Sequence, residues 1–287
     1  MFDDFGTYHL TDRVSRIFSI AETLSSSEER IVPIHLLIGA CLEGTGVSNE
    51  IVIYLFNELG NNFLEDLKCK SVGNKCTSNF KIDKFLVSDS TIKIMELAMV
   101  KMKRFNQVYI NEGLLISSIL EVDDYVISLL GSKICRDILK FVGVTRDLTV
   151  NLSSYIMPQI STKLFYVRKA KIEDYCLLTS FVEIEFGQRW LDSVNNGFAN
   201  TNSIPIYIAF ADDKIVGFAC YDVVRGKKGL FGPMGTSKFF RTNGVGAALL
   251  HHCLNDMKLL NYGYVIIDQA GPIEFYEKCC NAKLIPL

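Results

Sequence analysis

The chain has 287 residues, of which 49% are hydrophobic and 22% are charged, and its formal net charge is −2. This composition is typical of globular proteins with packed cores, and the length is sufficient for two domains. The near-neutral charge excludes a general electrostatic attraction to nucleic acid or to an anionic membrane.

The N-terminal half has helical periodicity. We predict a helix from Asp12, with Thr11 as its N-cap, followed by a buried helix that begins at Pro33 and ends before Gly44, and a third over 46–59. The apolar face of the first helix comprises Val14, Ile17, Phe18, Ala21 and Leu24. His35 stands in the apolar second helix without a partner at metal-ligand spacing, so we interpret it as a core residue.

The helical pattern recurs further along the chain. Ser88 and Asp89 open a run that corresponds to the first helix, and residues 111–120 mirror the segment at His35. Two copies of a helical unit predict a pseudo-two-fold, all-helical domain.

These two copies resemble the N-terminal domain of Clp-type chaperone ATPases. The resemblance rests on TDRVSRIFSIAE and IHLLIGACLEGTGV in the first copy, and on SDSTIKIMELA and NEGLLISSILE in the second. It implies an all-α double-repeat domain over residues 1–144 that docks protein partners without catalysis of its own. The sequence contains no P-loop, so we do not expect an unfoldase.

The segment after this domain, residues 145–163, is rich in Asn, Ser and Pro without clear periodicity. We predict that it is a linker. A second domain then covers residues 164–287.

The second domain contains a glycine-rich turn directly before an amphipathic helix. Arg241 precedes the turn, and Gly244 and Gly246 lie in it. A helix start offers free N–H groups and the positive end of the helix dipole, which suits a phosphate. A P-loop is excluded because Ala247 and Ala248 replace its lysine and hydroxyl residue, and a dinucleotide fingerprint because Leu249 replaces its third glycine.

Other segments of this domain occur in a recognisable order. The apolar runs KIVGFACY and LFGPMGT precede the turn, and YVIID and FYEK follow its helix. On these motifs residues 164–287 resemble the GNAT superfamily of acetyl-CoA-dependent N-acetyltransferases, whose pyrophosphate pattern Arg241, Gly244 and Gly246 fill. The resemblance implies an α+β acyl-CoA N-acyltransferase fold with a mixed, splayed central sheet.

The resemblance also implies the site. Backbone groups of Met234, Gly235 and Thr236 would contact the acetyl end of acetyl-CoA, and Tyr276 would protonate the departing thiolate. The N–H groups that would hold the pyrophosphate follow Arg241 and belong to Thr242, Asn243, Gly244, Val245, Gly246 and Ala247. Basic residues that stand near enough in sequence for the remaining phosphate are Arg225, Lys227, Lys228 and Lys238.

The general base stays open between Asp222, Glu183 and Glu185, each of which has an ordinary surface role as its alternative. The family often has one further strand after Leu284, which finishes the acceptor side. We expect this strand to be missing here.

The nine cysteines include no CxxC pair, and Cys69 and Cys76 lack a second pair for zinc. We therefore expect reduced thiols and no metal. Asp3 and Asp4 stand where a signal peptide carries positive charge, and no apolar run is long enough to span a bilayer. We expect a cytoplasmic protein with no membrane partner.

The sequence thus predicts an N-acetyltransferase that acts on an amine, either a small molecule or a protein, by direct attack. The helical domain would recruit a protein partner or pair with a second copy as a homodimer. The alternative is a non-catalytic acyl-CoA sensor or an adaptor for a Clp-type protease system.

Overall fold

The computed structural model describes residues 8–25, 30–71, 80–160, 164–199 and 203–287. The chain divides into two compact units, one of residues 1–145 with 286–287 and the other of residues 146–285. Asp3, Asp4, Cys76 and the end of the predicted linker, 161–163, lie outside the described residues.

The first unit is helical apart from one short hairpin, so the prediction of an all-helical domain is wrong at residues 80–87. Its elements are α1 (Asp12–Leu24), α2 (Pro33–Glu43), α3 (Val47–Leu59), α4 (Phe63–Ser71), β1 (Phe80–Ile82), β2 (Phe85–Val87), α5 (Asp89–Arg104), α6 (Glu112–Val122), α7 (Asp124–Leu130) and α8 (Ser132–Val142). The predicted start of the first helix is confirmed, because the Thr11 side chain accepts a hydrogen bond from the Val14 amide.

The helical unit has an apolar core that contains a buried ion pair. Arg13 is 3% exposed, and its Nη1 lies 2.5 Å from Glu112 Oε1. His35 is buried, and its Nδ1 accepts a hydrogen bond from the Val32 amide. The prediction of a core histidine is therefore confirmed.

Two hydrogen bonds of this unit have the same form. The Thr11 amide, at the start of α1, donates to the Ile110 carbonyl at 3.1 Å, and the Ser88 amide, at the start of α5, donates to the Ile31 carbonyl at 3.1 Å. In each case the N-cap residue of one helix donates to the residue directly before the N-cap of another helix, which is α6 for Ile110 and α2 for Ile31. These bonds fix α1 beside α6 and α5 beside α2 at their N-terminal ends.

The second unit is built on a seven-stranded sheet. Its elements are β3 (Arg146–Asn151), β4 (Tyr166–Lys169), α9 (Tyr175–Phe186), α10 (Leu191–Phe198), β5 (Ile206–Ala211), β6 (Lys214–Tyr221), β7 (Leu230–Thr236), α11 (Val245–Leu259), β8 (Tyr264–Ala270), α12 (Ile273–Cys280) and β9 (Lys283–Leu284). The strand order is β4-β5-β6-β7-β8-β3-β9, and the β7–β8 pair is parallel while the other pairs are antiparallel. The predicted mixed sheet is confirmed.

The predicted linker is wrong at its first residues. Residues 146–151 form β3, which pairs with β8 through Val150 and Val265 and with β9 through Leu148 and Leu284. The sequence contains the signal, because Leu148 and Val150 alternate with polar residues and are buried. Only these two apolar residues alternate, which is too short a pattern to separate a strand from the polar stretch that follows. β3 therefore lies between β8 and β9 in the sheet.

Helices cover both faces of this sheet. α9 and α10 pack on one face, where their apolar residues form a cluster with Ile206, Phe218 and Cys220. α11 lies on the other face, where Cys253 Sγ donates to the Ala219 carbonyl at 3.8 Å. The central strands of the sheet therefore lie between α9 on one face and α11 on the other.

Among the described residues, no single helix is long and apolar enough to cross a membrane, although Pro33–Glu43 and Val47–Leu59, bent by 100° relative to each other, are together long and apolar enough. The same part of the chain contains no group of three His, Cys, Asp or Glu side chains arranged for a metal ion. The eight described cysteines are free thiols.

Candidate active site

The parallel pair of strands opens into a splay. β7 and β8 are in register at two positions, Leu230 with Ile266 and Phe231 with Ile267. From Gly232 onwards β7 has no register partner on β8, although a Cβ built at Gly232 would still lie 4.0 Å from the Asp268 carbonyl oxygen. Backbone groups on that side of residues 232–235 thus have no strand partner among the described residues and can bind an extended ligand as an added strand.

Two of the predicted cofactor residues lie together with the start of α11. Met234 and Thr236 pair with Ala219 and Gly217 of β6. A Cβ at Gly246 would lie 3.6 Å from Thr236 Oγ1 and 3.8 Å from Met234 Cε. The same Cβ would lie 3.6 Å from the Phe275 ring of α12. The end of β7, the start of α11 and the FYEK helix therefore converge at Gly246.

Gly235 lies on the other face of β7. It pairs with Phe218, and a Cβ at Gly235 would lie 2.5 Å from the Phe186 ring at the end of α9. Phe186 in turn packs on Trp190 with ring centroids 4.9 Å apart. The absence of a side chain at Gly235 thus lets an aromatic layer cover the strand on the α9 face.

The turn before α11 presents its backbone without competition from side chains. Gly244 is the N-cap, with φ of 83°, and no side chain caps the helix. The helix ladder begins with the Ala248 amide donating to the Gly244 carbonyl at 3.0 Å. The amides of Val245, Gly246 and Ala247 precede this bond and have no intrahelical acceptor, as at every helix start. Thr242, Asn243 and Gly244 are exposed, so the turn fits an anionic group of a diphosphate from solvent.

Arg241 ties this turn to β7. Its Nε donates to the Thr236 carbonyl at 3.3 Å. Burial lowers the pKa of the guanidinium, and the charge of Glu185 opposes that shift. Glu185, one of the three carboxylates considered as a base, therefore lies close enough for its charge to affect the pKa of Arg241.

Tyr276 lies in α12 and is buried. Its ring packs against Phe231 at 6.3 Å and against Phe275 at 4.9 Å between centroids. Burial raises the pKa of the phenol above its ordinary value, and Cys280 and Cys279 add to the shift. The phenol stays protonated at neutral pH, which is the state that a proton donor requires.

Asp222 has a structural arrangement. Its Oδ1 accepts from the Gly229 amide at 2.6 Å, and its Oδ2 accepts from the Tyr262 hydroxyl at 2.7 Å. Burial and the hydrogen bond to Asp222 raise the pKa of Tyr262 to about 12. Asp222 therefore closes the β6–β7 connection, at the opposite end of β7 from Thr236.

The other charged candidates are dispersed. Glu183, Lys227 and Lys238 are exposed on the surface of the unit, and Lys228 lies 3.6 Å from Asp222. Arg225 forms an ion pair with Asp268, with Nη2 and Oδ1 2.8 Å apart. Asp268 was not among the carboxylates that the sequence singled out. Its signal is a carboxylate directly after the apolar run of β8, at the residue where the two strands part.

Comparisons with known proteins agree with this geometry. Residues 173–281 match the family model described as Acetyltransferase (GNAT) family, so this part of the chain is a GNAT acetyltransferase domain. The family uses acetyl-CoA as co-substrate, which confirms the cofactor prediction. A search of curated proteins found no match.

Solved structures similar to the chain include two N-acetyltransferases and one chaperone N-terminal domain. A glucosamine N-acetyltransferase region of a fungal multi-domain beta-N-acetylglucosaminidase is 14% identical, with a TM-score of 0.43, over 54% of this chain and 22% of that chain. A GCN5-related N-acetyltransferase from Sphaerobacter thermophilus is 19% identical, with a TM-score of 0.40, over 50% and 49%. The N-terminal domain of the chaperone ClpD from Arabidopsis thaliana is 13% identical, with a TM-score of 0.33, over 49% and 96%. The chain thus spans about half or less of the length of the first two.

Proposed function

We propose that the unit of residues 146–285 transfers the acetyl group of acetyl-CoA to an amine by direct attack. The observation that carries this proposal is the convergence at Gly246 of the splayed end of β7, the uncapped start of α11 and the helix that holds Tyr276. A GNAT domain over residues 173–281 is consistent with such an activity.

The roles of the residues follow from their places. Backbone groups of Met234, Gly235 and Thr236 bind the arm of the co-substrate next to its acetyl end. The amides from Thr242 to Ala247 bind its diphosphate, and Arg241 fixes the turn to the end of β7. Tyr276 donates a proton to the thiolate that leaves, and a positioned acid of this kind typically contributes about 10²–10⁴ in rate.

The described cysteines favour direct attack over an acyl-cysteine intermediate. Burial raises the pKa of Cys280 to about 12, and burial also raises the pKa of Cys279. Both thiols, three and four residues after Tyr276, are therefore protonated at neutral pH, whereas a nucleophilic cysteine needs a lowered pKa.

We further propose that the helical unit is a double repeat like the N-terminal domain of Clp-type chaperones, and that it docks a protein partner. The two equivalent hydrogen bonds, from Thr11 to Ile110 and from Ser88 to Ile31, support the repeat. An apolar stripe on α3 supports docking, because Ile53, Phe56 and Leu59 are 54%, 47% and 42% exposed at helical spacing. The same stripe favours the second candidate function, an adaptor or sensor without turnover.

Acetyl-CoA binding and turnover separate these functions. At 100 times its dissociation constant, acetyl-CoA stabilises a protein that binds it by about 2.7 kcal/mol, which a thermal melt detects. The enzyme is expected to show this stabilisation and to release CoA thiol with at least one member of a panel of polyamines, amino acids, aminoglycosides and peptides. Stabilisation without CoA release supports the sensor, and no stabilisation supports the adaptor.

A further inference from the structure

The splay between β7 and β8 is flanked by different side chains on its two faces. Phe231 and Ile267 are register partners in a parallel pair, so their side chains share a face, and Tyr276 packs on Phe231. Asp268 follows Ile267 and projects to the opposite face, because successive side chains of a strand alternate. Tyr276 and Asp268 thus lie on opposite faces at the point where the strands part.

Asp268 of β8 lies beside the first residue of β7 that is no longer paired with β8. The Cβ position of Gly232, the first unpaired residue, is 4.0 Å from the Asp268 carbonyl oxygen. The face to which Asp268 projects is also the face on which Phe186 covers Gly235. α11 and α12 lie on the other face, so an acceptor would approach Asp268 from the side of the sheet on which α9 lies.

The Asp268 carboxylate forms an ion pair, but its Oδ1 accepts no hydrogen bond from the described residues. Its Oδ1 lies 2.8 Å from Arg225 Nη2, outside hydrogen-bond geometry, and among the described residues this buried oxygen has no hydrogen-bond partner. The side chain is 11% exposed, and that exposure belongs to its atoms other than Oδ1. An ion pair on one oxygen orients the group while the remaining atoms keep some access to solvent.

Three influences set the proton affinity of this carboxylate. Burial raises the pKa of Asp268, the Arg225 charge lowers it, and the charge of Asp147 on β3 raises it, with a net shift upwards. Asp147 is held in place because its Oδ1 accepts from the Gln269 amide at 2.8 Å. A carboxylate with a raised pKa takes up a proton more readily than an ordinary one.

We infer that Asp268 is the general base that takes the proton of the acceptor amine. This inference rests on the proposed function. The amine nitrogen attacks the carbonyl carbon of the thioester, a C–N bond forms, and the nitrogen loses a proton to Asp268. The C–S bond breaks, its electron pair leaves with sulfur, and sulfur receives the proton of Tyr276. Water carries the proton from Asp268 to the phenolate, so that amide and free CoA thiol are the products and both side chains are restored.

The test compares Asp268→Asn with Asp222→Asn in the full-length protein. Both variants replace a carboxylate by an amide of the same shape, and Asp222 closes a turn away from the splay. Asp268→Asn is expected to bind acetyl-CoA like the wild type by calorimetry and to lose about 10²–10⁴ in kcat with the best amine of the panel. Asp222→Asn is expected to keep the wild-type kcat. Full activity of Asp268→Asn overturns the assignment.

The pH dependence supplies a readout that a structural role would not move. In the wild type, kcat/KM is expected to rise with pH as Asp268 loses its proton, with a midpoint that matches the titration of the Asp268 ¹³Cγ resonance. Asp147→Asn removes a neighbouring negative charge, so both midpoints are expected to move to lower pH by the same amount. Midpoints that differ, or a kinetic midpoint that Asp147→Asn leaves in place, overturn the assignment, and this arm decides the question if Asp268→Asn does not fold.

The same data distinguish a failure of the proposed function from a failure of the base assignment. A wild type that binds acetyl-CoA but releases no CoA thiol with any amine overturns the proposed function, and the base falls with it. A wild type that turns over, with Asp268→Asn equally active, overturns the base alone.

Discussion

The rings of Phe231 and Tyr276 pack edge to face, with centroids 6.3 Å apart and planes inclined by 74°. Phe231 is the last residue of β7 that is in register with β8. This contact therefore places the α12 tyrosine next to the residue at which the two strands part. It links the strand that opens and the helix that carries the proposed proton donor.

Replacement of Tyr276 by phenylalanine tests that donor. The ring contacts with Phe231 and Phe275 are kept, while the hydroxyl is lost. We expect kcat to fall by about 10²–10⁴, because the thiolate then leaves without a proton from the protein. CoA thiol release measures the rate, and calorimetry should show unchanged acetyl-CoA affinity. A variant with the wild-type kcat would reduce Tyr276 to a packing residue.

Gly246 is where a side chain would enter the proposed diphosphate cradle. A Cβ there is within ordinary van der Waals distance of its neighbours, at 3.6 Å or more, so Gly246→Ala should fold normally. The longer side chain of Gly246→Leu should weaken acetyl-CoA binding by about 100-fold or more, since loss of hydrogen bonds to a charged group costs about 3 kcal/mol. Isothermal calorimetry measures both affinities.

Gly263→Leu is the matched control for the leucine variant. Gly263 is exposed, and a Cβ at this position would have open space around it. Its affinity for acetyl-CoA should equal that of the wild type. An unchanged affinity of Gly246→Leu would refute the binding site at this turn.

The place of β3 in the sheet predicts a large effect of one leucine. Leu148 is fully buried against Ile267 and Leu284, so Leu148→Ala should lower the free energy of unfolding by about 2–5 kcal/mol. Trp190 is the only tryptophan of the chain and packs on Phe186, so its fluorescence in urea reports on this unit. Thr149→Ala, at the half-buried neighbouring position, should cost much less. Equal stabilities of the two variants would mean that residues 146–151 behave as a linker.

The ion pair before α9 predicts a pH dependence of stability. Arg168 donates two hydrogen bonds to Asp174, at 2.7 and 2.8 Å, and holds the pKa of this carboxyl below its ordinary value. A lowered pKa in the folded state stabilises the fold above the unfolded-state pKa, and this stabilisation is lost as the pH falls through the folded-state pKa. Asp174→Asn should therefore cost about 1–3 kcal/mol at pH 7.

The difference between Asp174→Asn and the wild type should shrink as the pH is lowered below the ordinary range of a carboxyl group. Urea titrations followed by Trp190 fluorescence at several pH values measure it. A difference that stays constant across this range would show that the pair does not titrate with folding.

The sequence predicted the local elements around the proposed site with little ambiguity. Gly244 and Gly246 before an amphipathic run identify the start of α11, since glycine turns and helix periodicity are local properties of the chain. The same holds for Thr11 at the start of α1. The role of Tyr276 and the identities of the cradle residues remain predictions.

The sequence failed where neighbours distant in the chain decide. Asp222 was a candidate base because it lies on a predicted strand of the domain, but the Gly229 amide and the Tyr262 hydroxyl donate to its two oxygens. Asp268 comes after the apolar residues 265–267 within β8, and it lies at the splay because β7 and β8 are not in register beyond Phe231 and Ile267. The sequence of either strand alone does not contain that difference.

The sequence by itself determined the helices that begin near residues 12, 33, 47, 89 and 112, the glycine turn before α11 and the order of strands and helices that implied an acetyltransferase fold. Periodicity and turn chemistry act over a few residues, so they can be read from a chain segment. Only the tertiary structure decided that residues 146–151 fill the sheet between β8 and β9, and that Asp268 and Tyr276 lie on opposite faces of the sheet at the point where two strands part. Strand pairing joins residues far apart in the chain, and its partners are chosen by the burial and hydrogen bonding of the whole sheet.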